Sequence, residues 1–459
     1  MYARATAVTL ARLGEVLGRR LLVAVLVALC ASGSAAAATV RGATDPLQAQ
    51  EWWLADVGAD RATPPGAGVP LTIVDTGTDP THPEFAGRPN TTFLNDQTVS
   101  GQREYHGTFV ASVAAAPANG VGIVGVYPTA ALQLYDASFD PRGISDDDAI
   151  TGILDAARNC PGVISLSFGG SQTDPLLEDA ILTAFHNGCL VVAAAGNDGE
   201  LGNPTTYPAA WPHVFTVGAT DRNDRVTSFS TVAPSLDLAA PGLDISGAVP
   251  LSQDSTGYET GLAGTSFAAP IVAAAAAWIW TVRPTLTVTQ LADVLRRSAR
   301  DIGVPGFDSS AGWGLLDIPA ALAAPVSSSD TGEPNDDVDQ VKPRRLFEAG
   351  EPPLTSSAKA SVRIAGSLDQ AEDPRDVYRI WVPAHKTVRV SVSGGGAAAA
   401  RIWGPQTLTV NEGLKARRRD LKGTSVRAGK TGFAAYVEVL PTGRSVRAQY
   451  VLGVTAATR

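Results

Sequence analysis

Lysine is missing from most of this 459-residue chain, because all six lysines lie at or beyond Lys342. Cysteine and methionine are also rare, with three cysteines and one methionine. Three cysteines cannot build a disulfide scaffold or a four-cysteine zinc site. Positive charge is not in excess: 36 basic residues face 45 acidic ones, and the net charge of −9 gives no electrostatic reason to bind nucleic acid.

The charge is distributed unevenly along the chain. Residues 39–329 carry 12 basic and 30 acidic residues, whereas residues 330–459 carry 20 basic and 14 acidic ones. The composition, 44% hydrophobic and 18% charged, is typical of a soluble globular protein. The chain is longer than one core usually supports, ~250–300 residues, and a Ser/Gly/Pro/Asp-rich stretch follows Val326. We therefore predict two domains, residues 39–325 and 336–459, joined by a linker over 326–335.

The first 38 residues have the pattern of an export signal. Four arginines and one glutamate precede a short apolar stretch, residues 21–29, and an alanine-rich stretch, residues 31–38, follows it. An uncleaved membrane anchor is the alternative, because the uncharged stretch 21–38 reaches 18 residues, the lower limit for a spanning helix. We predict a signal peptide over residues 1–38, cleavage near Thr39 and a secreted protein.

Two different patterns of secondary structure follow. Between residues 71 and 299, near-continuous apolar runs alternate with helical patterns, which predicts an α/β fold with a doubly wound, mostly parallel sheet flanked by helices. The predicted strands are 71–74, 131–135, 163–167, 190–194 and 214–217, and the predicted helices are 106–116, 147–158, 175–187 and 266–282. Residues 333–459 show short alternating runs, such as 378–382 and 387–392, and these predict a small antiparallel β-sandwich.

Three segments at predicted strand or helix ends carry the residues of nucleophilic catalysis. Asp75 follows the first strand, His106 begins one helix, and Ser266 begins another. A serine hydroxyl becomes nucleophilic when a histidine takes its proton, and a buried carboxylate orients that histidine. Function in such sheets lies where the strands end, and the segments 75–77, 195–197 and 264–266 are expected there. Pro270 is expected in the first turn of its helix, where a missing N–H is tolerated.

The sequence around these residues resembles four signature blocks of the subtilisin-type serine proteases. The blocks are Val74-Asp75-Thr76-Gly77, His106-Gly107-Thr108, Ala194-Ala195-Gly196-Asn197 and Gly264-Thr265-Ser266-Phe267-Ala268-Ala269-Pro270. They occur in the order Asp, His, Ser that this family shows. The likeness covers residues 45–323, and it implies that residues 39–325 are a subtilisin-like catalytic domain.

The resemblance implies a role for each residue. Asp75 orients the histidine, His106 acts as general base and then as acid, and Ser266 attacks the scissile carbonyl. The Asn197 side chain and the Ser266 backbone N–H form the oxyanion hole. More loosely, it implies that Ser167, Phe168 and Gly169 line the primary specificity pocket and that Gly143 pairs with the other side of an extended peptide.

The predicted function is a secreted serine endopeptidase of broad specificity that hydrolyses peptide bonds through an acyl-enzyme intermediate. Two alternatives stay open: a maturation protease of narrow specificity, and a non-catalytic secreted binding protein on the same fold. We expect protein or peptide substrates, no nucleic-acid partner and a monomer. No redox or organic cofactor is implied. Structural calcium is common in the family, but the sequence does not locate a site for it.

Each marked residue also has an ordinary structural interpretation. Asp75 suits a turn, His106 a helix cap or core, and Asn197 a Gly-Asn turn, while Ser266 suits a helix N-cap. The four blocks together, in this order, favour the catalytic interpretation. The acidic residues 146–148 are interpreted as helix capping rather than as selectors of basic substrates.

Several features outside the blocks lead to smaller predictions. Cys160 and Cys189 each precede a predicted strand, so a disulfide between them is plausible but left open. Phe267 replaces the methionine often found after the nucleophile, and this predicts tolerance to peroxide. The motifs at residues 333–336 and 376–381 resemble the pre-peptidase C-terminal domain of secreted bacterial proteases. The basic cluster 415–419 suits binding to an anionic cell surface or to the acidic catalytic domain, but a solvated loop is the preferred interpretation.

Overall fold

The computed structural model describes residues 45–97, 105–140, 143–326, 353–369, 375–394, 398–405, 421–442 and 447–457. The predicted signal peptide, the linker beyond Val326, the motif at 333–336 and the basic cluster 415–419 lie outside these residues.

The helices and strands of the described residues are as follows. The helices are α1 (Trp52–Asp56), α2 (Tyr105–Ala115), α3 (Asp146–Ala157), α4 (Pro175–His186), α5 (Thr265–Val282), α6 (Val288–Ser298) and α7 (Ile318–Ala323). The strands are β1 (Leu71–Asp75), β2 (Thr91–Phe93), β3 (Leu132–Asp136), β4 (Ser138–Asp140), β5 (Gly143–Ile144), β6 (Gly162–Leu166), β7 (Cys189–Ala194), β8 (Val214–Thr220), β9 (Leu236–Pro241), β10 (Ile245–Ala248), β11 (Tyr258–Leu262), β12 (Ser361–Asp369), β13 (Asp376–Val382), β14 (Thr387–Ser393), β15 (Ala398–Trp403), β16 (Leu421–Gly423), β17 (Ser425–Arg427), β18 (Phe433–Pro441) and β19 (Arg447–Ala457).

Seven strands form one central sheet in the order β2-β3-β1-β6-β7-β8-β9. Each neighbouring pair is parallel. All these strands therefore end at the same edge of the sheet, where β3, β1, β6 and β7 lie side by side. The parallel sheet with flanking helices confirms the predicted fold class.

The sheet separates two hydrophobic cores, because successive strand residues point to opposite faces. On one face, Ile73 of β1 and Val192 of β7 pack with the helices α2, α5 and α6. On the other face, Val74 and Val191 pack with α3 and α4. The three-layer arrangement leaves the strand ends as the accessible part of the sheet.

The helix α5 runs through the larger core. It is apolar all round and almost wholly buried. Of the helices in the described residues, α5 alone is long and apolar enough to cross a membrane, but most of it is covered by the rest of the protein. Pro270 lies inside α5 rather than in its first turn, so that prediction was wrong.

Cys160 and Cys189 form a disulfide with a Cα–Cα distance of 5.2 Å. Gly162 of β6 lies opposite Cys189 of β7 in the parallel register. The pairing of these two strands therefore brings the cysteines together, which resolves the pairing that the sequence left open.

The C-terminal strands form two antiparallel four-stranded sheets, in the orders β12-β19-β14-β17 and β13-β18-β15-β16. Apolar residues of both sheets share one core. Tyr450 of the first sheet donates a hydrogen bond to Asp376 of the second, and its hydroxyl lies 2.7 Å from that of Tyr378. The predicted antiparallel sandwich is thus present, with polar ties between its sheets.

Candidate active site

Asp75 and His106 are in direct contact at the edge where the parallel strands end. Asp75 is the last residue of β1, and His106 lies in the first turn of α2. The two side chains are joined by a 2.7 Å distance between His106 Nδ1 and Asp75 Oδ1. The same oxygen accepts a hydrogen bond of 2.7 Å from the Thr76 N–H. Because a carboxylate only accepts, Nδ1 carries the proton and Nε2 of the neutral ring is the basic nitrogen.

A close approach of two backbone segments makes this contact possible. A Cβ atom on Gly107 would lie 2.1 Å from the carbonyl oxygen of Gly77, so a larger residue cannot occupy position 107 without moving the loop after β1. The Gly107 N–H donates to Thr76 Oγ1 at 3.1 Å, and the Asp79 N–H donates to Thr108 Oγ1 at 2.9 Å. Residues that follow both Asp75 and His106 therefore fix the distance between them.

Burial and the neighbouring carboxylate shift the pKa of His106 in opposite directions. Burial alone lowers its pKa, but the negative charge of Asp75 and the hydrogen bond with it raise the pKa above the ordinary value of 6.5. Asp75 is 2% exposed in its side chain, whereas the imidazole of His106 is 25% exposed. The ring therefore has an anionic partner on its buried side and access to solvent.

Ser266 is the second residue of α5 and lies next to the end of β6. Its Oγ donates a hydrogen bond of 3.2 Å to the carbonyl oxygen of Ser167. The contacts of Ser266 in the described part of the chain include no hydrogen bond to His106. The structure thus brings Asp75 and His106 together directly, while the Ser266 hydroxyl is bonded to the Ser167 carbonyl.

A reciprocal bond fixes the backbone of Ser266. Pro270 has no N–H and cannot donate to the carbonyl four residues earlier, which belongs to Ser266. That carbonyl instead accepts a hydrogen bond of 2.8 Å from Ser167 Oγ. Ser167, which was predicted to line the primary specificity pocket, has a buried side chain that ties the end of β6 to the start of α5.

Asn197 follows β7 and is exposed. Its Oδ1 accepts hydrogen bonds of 2.9 Å from both the N–H and the Oγ1 of Thr265. The amide oxygen is therefore occupied, and Nδ2 is the group left to donate. A Cβ atom built on Gly264 would lie 3.6 Å from Asn197 Nδ2 and 3.7 Å from the Ser266 backbone nitrogen. Two N–H donors thus border one small volume beside Ser266.

Thr265 was not singled out from the sequence, although it sets the orientation of Asn197. Its side chain is fully buried and also accepts a 3.2 Å hydrogen bond from the Gly196 N–H. The only indication of this role in the sequence was the position of Thr265 directly before Ser266. A contact over 68 positions in sequence cannot be inferred from a single chain.

The remaining predicted positions lie at neighbouring strand ends. Phe168 is half-buried and Gly169 is exposed after β6, while Gly170 pairs with the backbone of Tyr207. Gly143 begins β5, in the short hairpin with β4 that follows β3. Its φ of +133° is a conformation that favours glycine. Phe168 and Gly169 thus follow β6, which lies between β1 and β7 in the sheet, whereas the hairpin with Gly143 follows β3, the neighbour of β1 on its other side.

Known proteins are similar to this chain in sequence. The family model described as "Subtilase family" matches residues 66–314. Subtilisin DY from Bacillus licheniformis is 35% identical over 258 residues, which cover 56% of this chain and 91% of that protein. The minor extracellular protease Epr from Bacillus subtilis (strain 168) is 32% identical over 277 residues, covering 60% of this chain and 41% of Epr.

A solved structure agrees at the level of the fold. A psychrophilic subtilisin-like protease from the Antarctic psychrotroph Pseudoalteromonas sp. AS-11 superposes with a TM-score of 0.53 at 19% identity, covering 59% of this chain and 97% of that chain. Fold, family and relatives together define a subtilisin-like serine protease. The chain belongs to the subtilase family and is a serine endopeptidase that acts on protein or peptide substrates.

Proposed function

We propose that Asp75, His106 and Ser266 are the catalytic triad of this endopeptidase. The observation that carries the proposal is the 2.7 Å contact between His106 Nδ1 and Asp75 Oδ1, at the sheet edge where α5 presents Ser266. The contact sets the tautomer in which Nε2 accepts a proton. The raised pKa of His106 also suits a base that must later act as an acid.

The proposed reaction begins when Ser266 Oγ turns away from the Ser167 carbonyl. It attacks the scissile carbonyl carbon while His106 Nε2 takes the hydroxyl proton. Asn197 Nδ2 and the Ser266 N–H donate to the oxygen that becomes negative. The C–N bond then breaks, and His106 passes its proton to the leaving amine. Water attacks the acyl-enzyme ester by the same route and releases the acid, so that Ser266 regains its proton.

The substrate lies extended between two backbone segments in this proposal. Phe168 and Gly169 border one side, and Gly143 lies on the other. Pairing through main-chain groups makes few demands on side chains, which supports broad specificity.

The N-terminal pattern and the secreted relative Epr support export of this chain after removal of residues 1–38. The catalytic domain then spans 39–325 and the C-terminal β-domain 336–459. We assign the β-domain to the pre-peptidase C-terminal type, with a role at the cell surface, and we infer that the protein is a monomer. Its two-sheet architecture supports the assignment.

A fluorophosphonate probe tests the function. The purified full-length protein and its Ser266→Ala variant are treated with the probe while cleavage of unfolded casein and of a peptide library is measured. Labelling of the parent alone, with casein turnover, is expected. Labelling without casein turnover would favour the narrow maturation protease, and an unlabelled parent would leave only a binding protein.

A further inference from the structure

The two sheets of the C-terminal sandwich differ in how far their outward faces are covered. Side chains alternate along each strand, so those that do not join the shared core point outwards. In the sheet β13-β18-β15-β16, the outward residues Val377, Trp403 and Glu438 are wholly buried. In the sheet β12-β19-β14-β17, the outward residues are exposed or half-buried. We refer to this second surface as the open face.

The open face is positively charged. Arg363 lies on β12, Arg389 on β14 and Arg427 on β17, and all three are exposed. Among the residues whose side chains the structure describes, the open face carries no acidic side chain. At its far end, Asp369 pairs in register with Arg447, so these two positions together add no net charge. We refer to Arg363, Arg389 and Arg427 as the arginine stripe.

The arginine stripe has no carboxylate partner in the described part of the chain. Several arginines of the catalytic unit differ in this respect, because each contacts an aspartate; these are Arg158, Arg222, Arg297 and Arg300. A guanidinium group is planar and weakly hydrated, and it can form two parallel hydrogen bonds with one carboxylate. The three guanidinium groups of the arginine stripe are therefore available to an anionic ligand.

The arginine stripe runs diagonally across the sheet. The registers place Arg363 and Arg389 two strands and two residues apart, and Arg389 and Arg427 one strand and two residues apart. From the spacing of strands and of residues along them, the Cα atoms are about 12 Å and about 8 Å apart, so that the stripe is about 20 Å long. A single small anion cannot reach all three positions. A ligand that uses the whole stripe must carry several anionic groups along its length.

The residues between the arginines are small or carry hydroxyl groups. Gly453, in the middle of β19, adds no side chain to the face, and the hydroxyl groups come from Thr387, Ser391, Ser393, Ser425 and Thr455. Protein interfaces concentrate aromatic and large apolar side chains, but among its described residues the open face has no aromatic one. Serine and threonine hydroxyls both donate and accept hydrogen bonds, which suits the hydroxyl groups of a sugar.

We propose that the open face binds a linear polysaccharide that carries carboxylate groups. The arginine stripe pairs with successive carboxylates, and the hydroxyl-bearing residues contact the sugar rings between them. The positive charge of this face stands out because the chain as a whole has a net charge of −9. The inference extends the surface role proposed above for the β-domain, and it is independent of the proposed catalytic triad.

Binding of polygalacturonate to the full-length chain tests this proposal. A Ser266→Ala background prevents self-digestion and is the parent for every comparison. Highly methyl-esterified polygalacturonate has the same sugar backbone with most of its charge removed, and it is the matched ligand control. The parent is expected to bind the charged polymer at low ionic strength, to bind it less tightly as salt is added, and not to bind the ester. Isothermal titration calorimetry measures the dissociation constants.

Substitution of the arginine stripe should weaken this binding. The variant R363Q/R389Q/R427Q is expected to raise the Kd for polygalacturonate about tenfold, the combined effect of three exposed ion pairs. If this variant folds poorly by thermal unfolding, Arg389→Gln alone removes the middle of the stripe and should raise the Kd about twofold.

A matched variant separates the arginine stripe from the total charge of the protein. R158Q/R222Q/R297Q lowers the net charge by the same amount but changes exposed arginines of the catalytic unit. It is expected to bind polygalacturonate with the parental Kd. An equal loss of binding in both triple variants would show a general effect of charge and would overturn the proposal.

Three further results would also overturn it. The first is no binding of polygalacturonate by the parent. The second is parental binding by the stripe variant, which would place the ligand elsewhere, such as on the basic residues 415–419. The third is equally tight binding of poly-L-glutamate or of phosphatidylglycerol vesicles, which would indicate an acidic protein or a membrane instead. Failure of the proposed triad is a separate outcome, since an unlabelled protein in the fluorophosphonate experiment leaves these binding measurements unchanged.

Discussion

The two β-rich parts of the molecule each contain a buried aspartate that is hydrogen-bonded to a ring-bearing side chain. In the parallel-sheet unit, Asp75 holds His106, whose imidazole is partly exposed at the sheet edge. In the C-terminal sandwich, Asp376 accepts from Tyr450, and both residues are buried between the sheets. A ring with one open side can exchange a proton with a substrate, whereas a ring closed on all sides holds two sheets together.

The electrostatics of the two pairs agree with this difference. Burial lowers the pKa of His106, but the charge of Asp75 and the hydrogen bond with it together outweigh burial and raise that pKa above its ordinary value. Burial and the charge of Asp376 raise the pKa of Tyr450 far above its usual range, so its hydroxyl remains a donor. Glu438 in the same sandwich is likewise closed, with Arg375 at 2.9 Å and the Trp403 indole at 2.8 Å. Burial thus decides whether such a pair is reactive or structural.

The sharpest test of the comparison removes the nucleophile. Ser266→Ala is expected to lower kcat by about 10⁶-fold, the size of loss known for removal of the nucleophile in subtilisin, a member of the same family. Stability should change little, because the Ser167 hydroxyl still holds the carbonyl of residue 266. Peptide hydrolysis and thermal unfolding measured on the same samples check both parts. A large loss of stability with residual activity would contradict the assignment.

A smaller effect is expected from the group that stabilises negative charge. Asn197→Ala should lower kcat by about 10²–10³-fold with little change in KM, again the range known from subtilisin. Asn197→Asp is the matched variant, since it keeps the acceptor for Thr265 but replaces the Nδ2 donor. Steady-state kinetics separate the two constants. If Asn197→Asp retains parental kcat, the Nδ2 group has no role in the transition state.

In the C-terminal sandwich, loss of the buried hydrogen bond should lower stability and leave activity unchanged. Tyr450→Phe removes a buried donor to Asp376 and is expected to lower the free energy of unfolding by about 1–3 kcal/mol. The kcat for a short peptide should stay at the parental value because the active site is untouched. Calorimetry and peptide kinetics check this pair of outcomes. A fall in kcat at a temperature where the variant is folded would show that the two units are coupled.

The dependence of kcat/KM on pH tests whether the partly exposed imidazole of His106 exchanges the proton. Only neutral His106 can act as the base, so kcat/KM should fall about tenfold per pH unit below its pKa. Because Asp75 raises that pKa, the acid limb should lie above pH 6.5. In Asp75→Asn the charge is absent and the effect of burial remains, so the limb should move to lower pH. An unmoved limb in this variant would mean that another group controls it.

The smallest expected effect is resistance to oxidation. Met1 is the only methionine, and Cys160 and Cys189 are joined in a disulfide. Activity should therefore survive mild peroxide, whereas Phe267→Met should lose it, since its thioether would lie beside the nucleophile. Residual activity after timed exposure measures the difference. Equal, rapid inactivation of both proteins would contradict the prediction.

Much of the fold was predictable because apolar runs mark strands buried on both faces. The strands β1, β3, β6, β7 and β8 and the helices α2 to α5 were expected within a few residues. The strands β9, β10 and β11 were not, since residues such as Tyr258, Glu259 and Thr260 are neither an apolar run nor a clear alternation. Pro270 was placed in the first turn of its helix because its actual compensation, Ser167 Oγ, lies far away in sequence.

The residues of the candidate site were also predictable only in part. Asp75, His106, Asn197 and Ser266 were identifiable because each stands in a short, distinctive block of sequence. The orienting contacts of Thr265 and Ser167 were not, because they depend on which segments meet after folding. The burial of Asp45, Glu51 and Glu84 was not predictable either, since nothing in the sequence distinguishes them from ordinary surface acids.

The bond between Ser167 Oγ and the Ser266 carbonyl has a consequence for timing. It holds the main chain of the nucleophile while Oγ itself is bonded to a different atom, the Ser167 carbonyl. The Ser266 hydroxyl can therefore leave the Ser167 carbonyl by rotation about its side-chain bond while the bond from Ser167 Oγ to the Ser266 carbonyl is kept. Such rotations take picoseconds to nanoseconds.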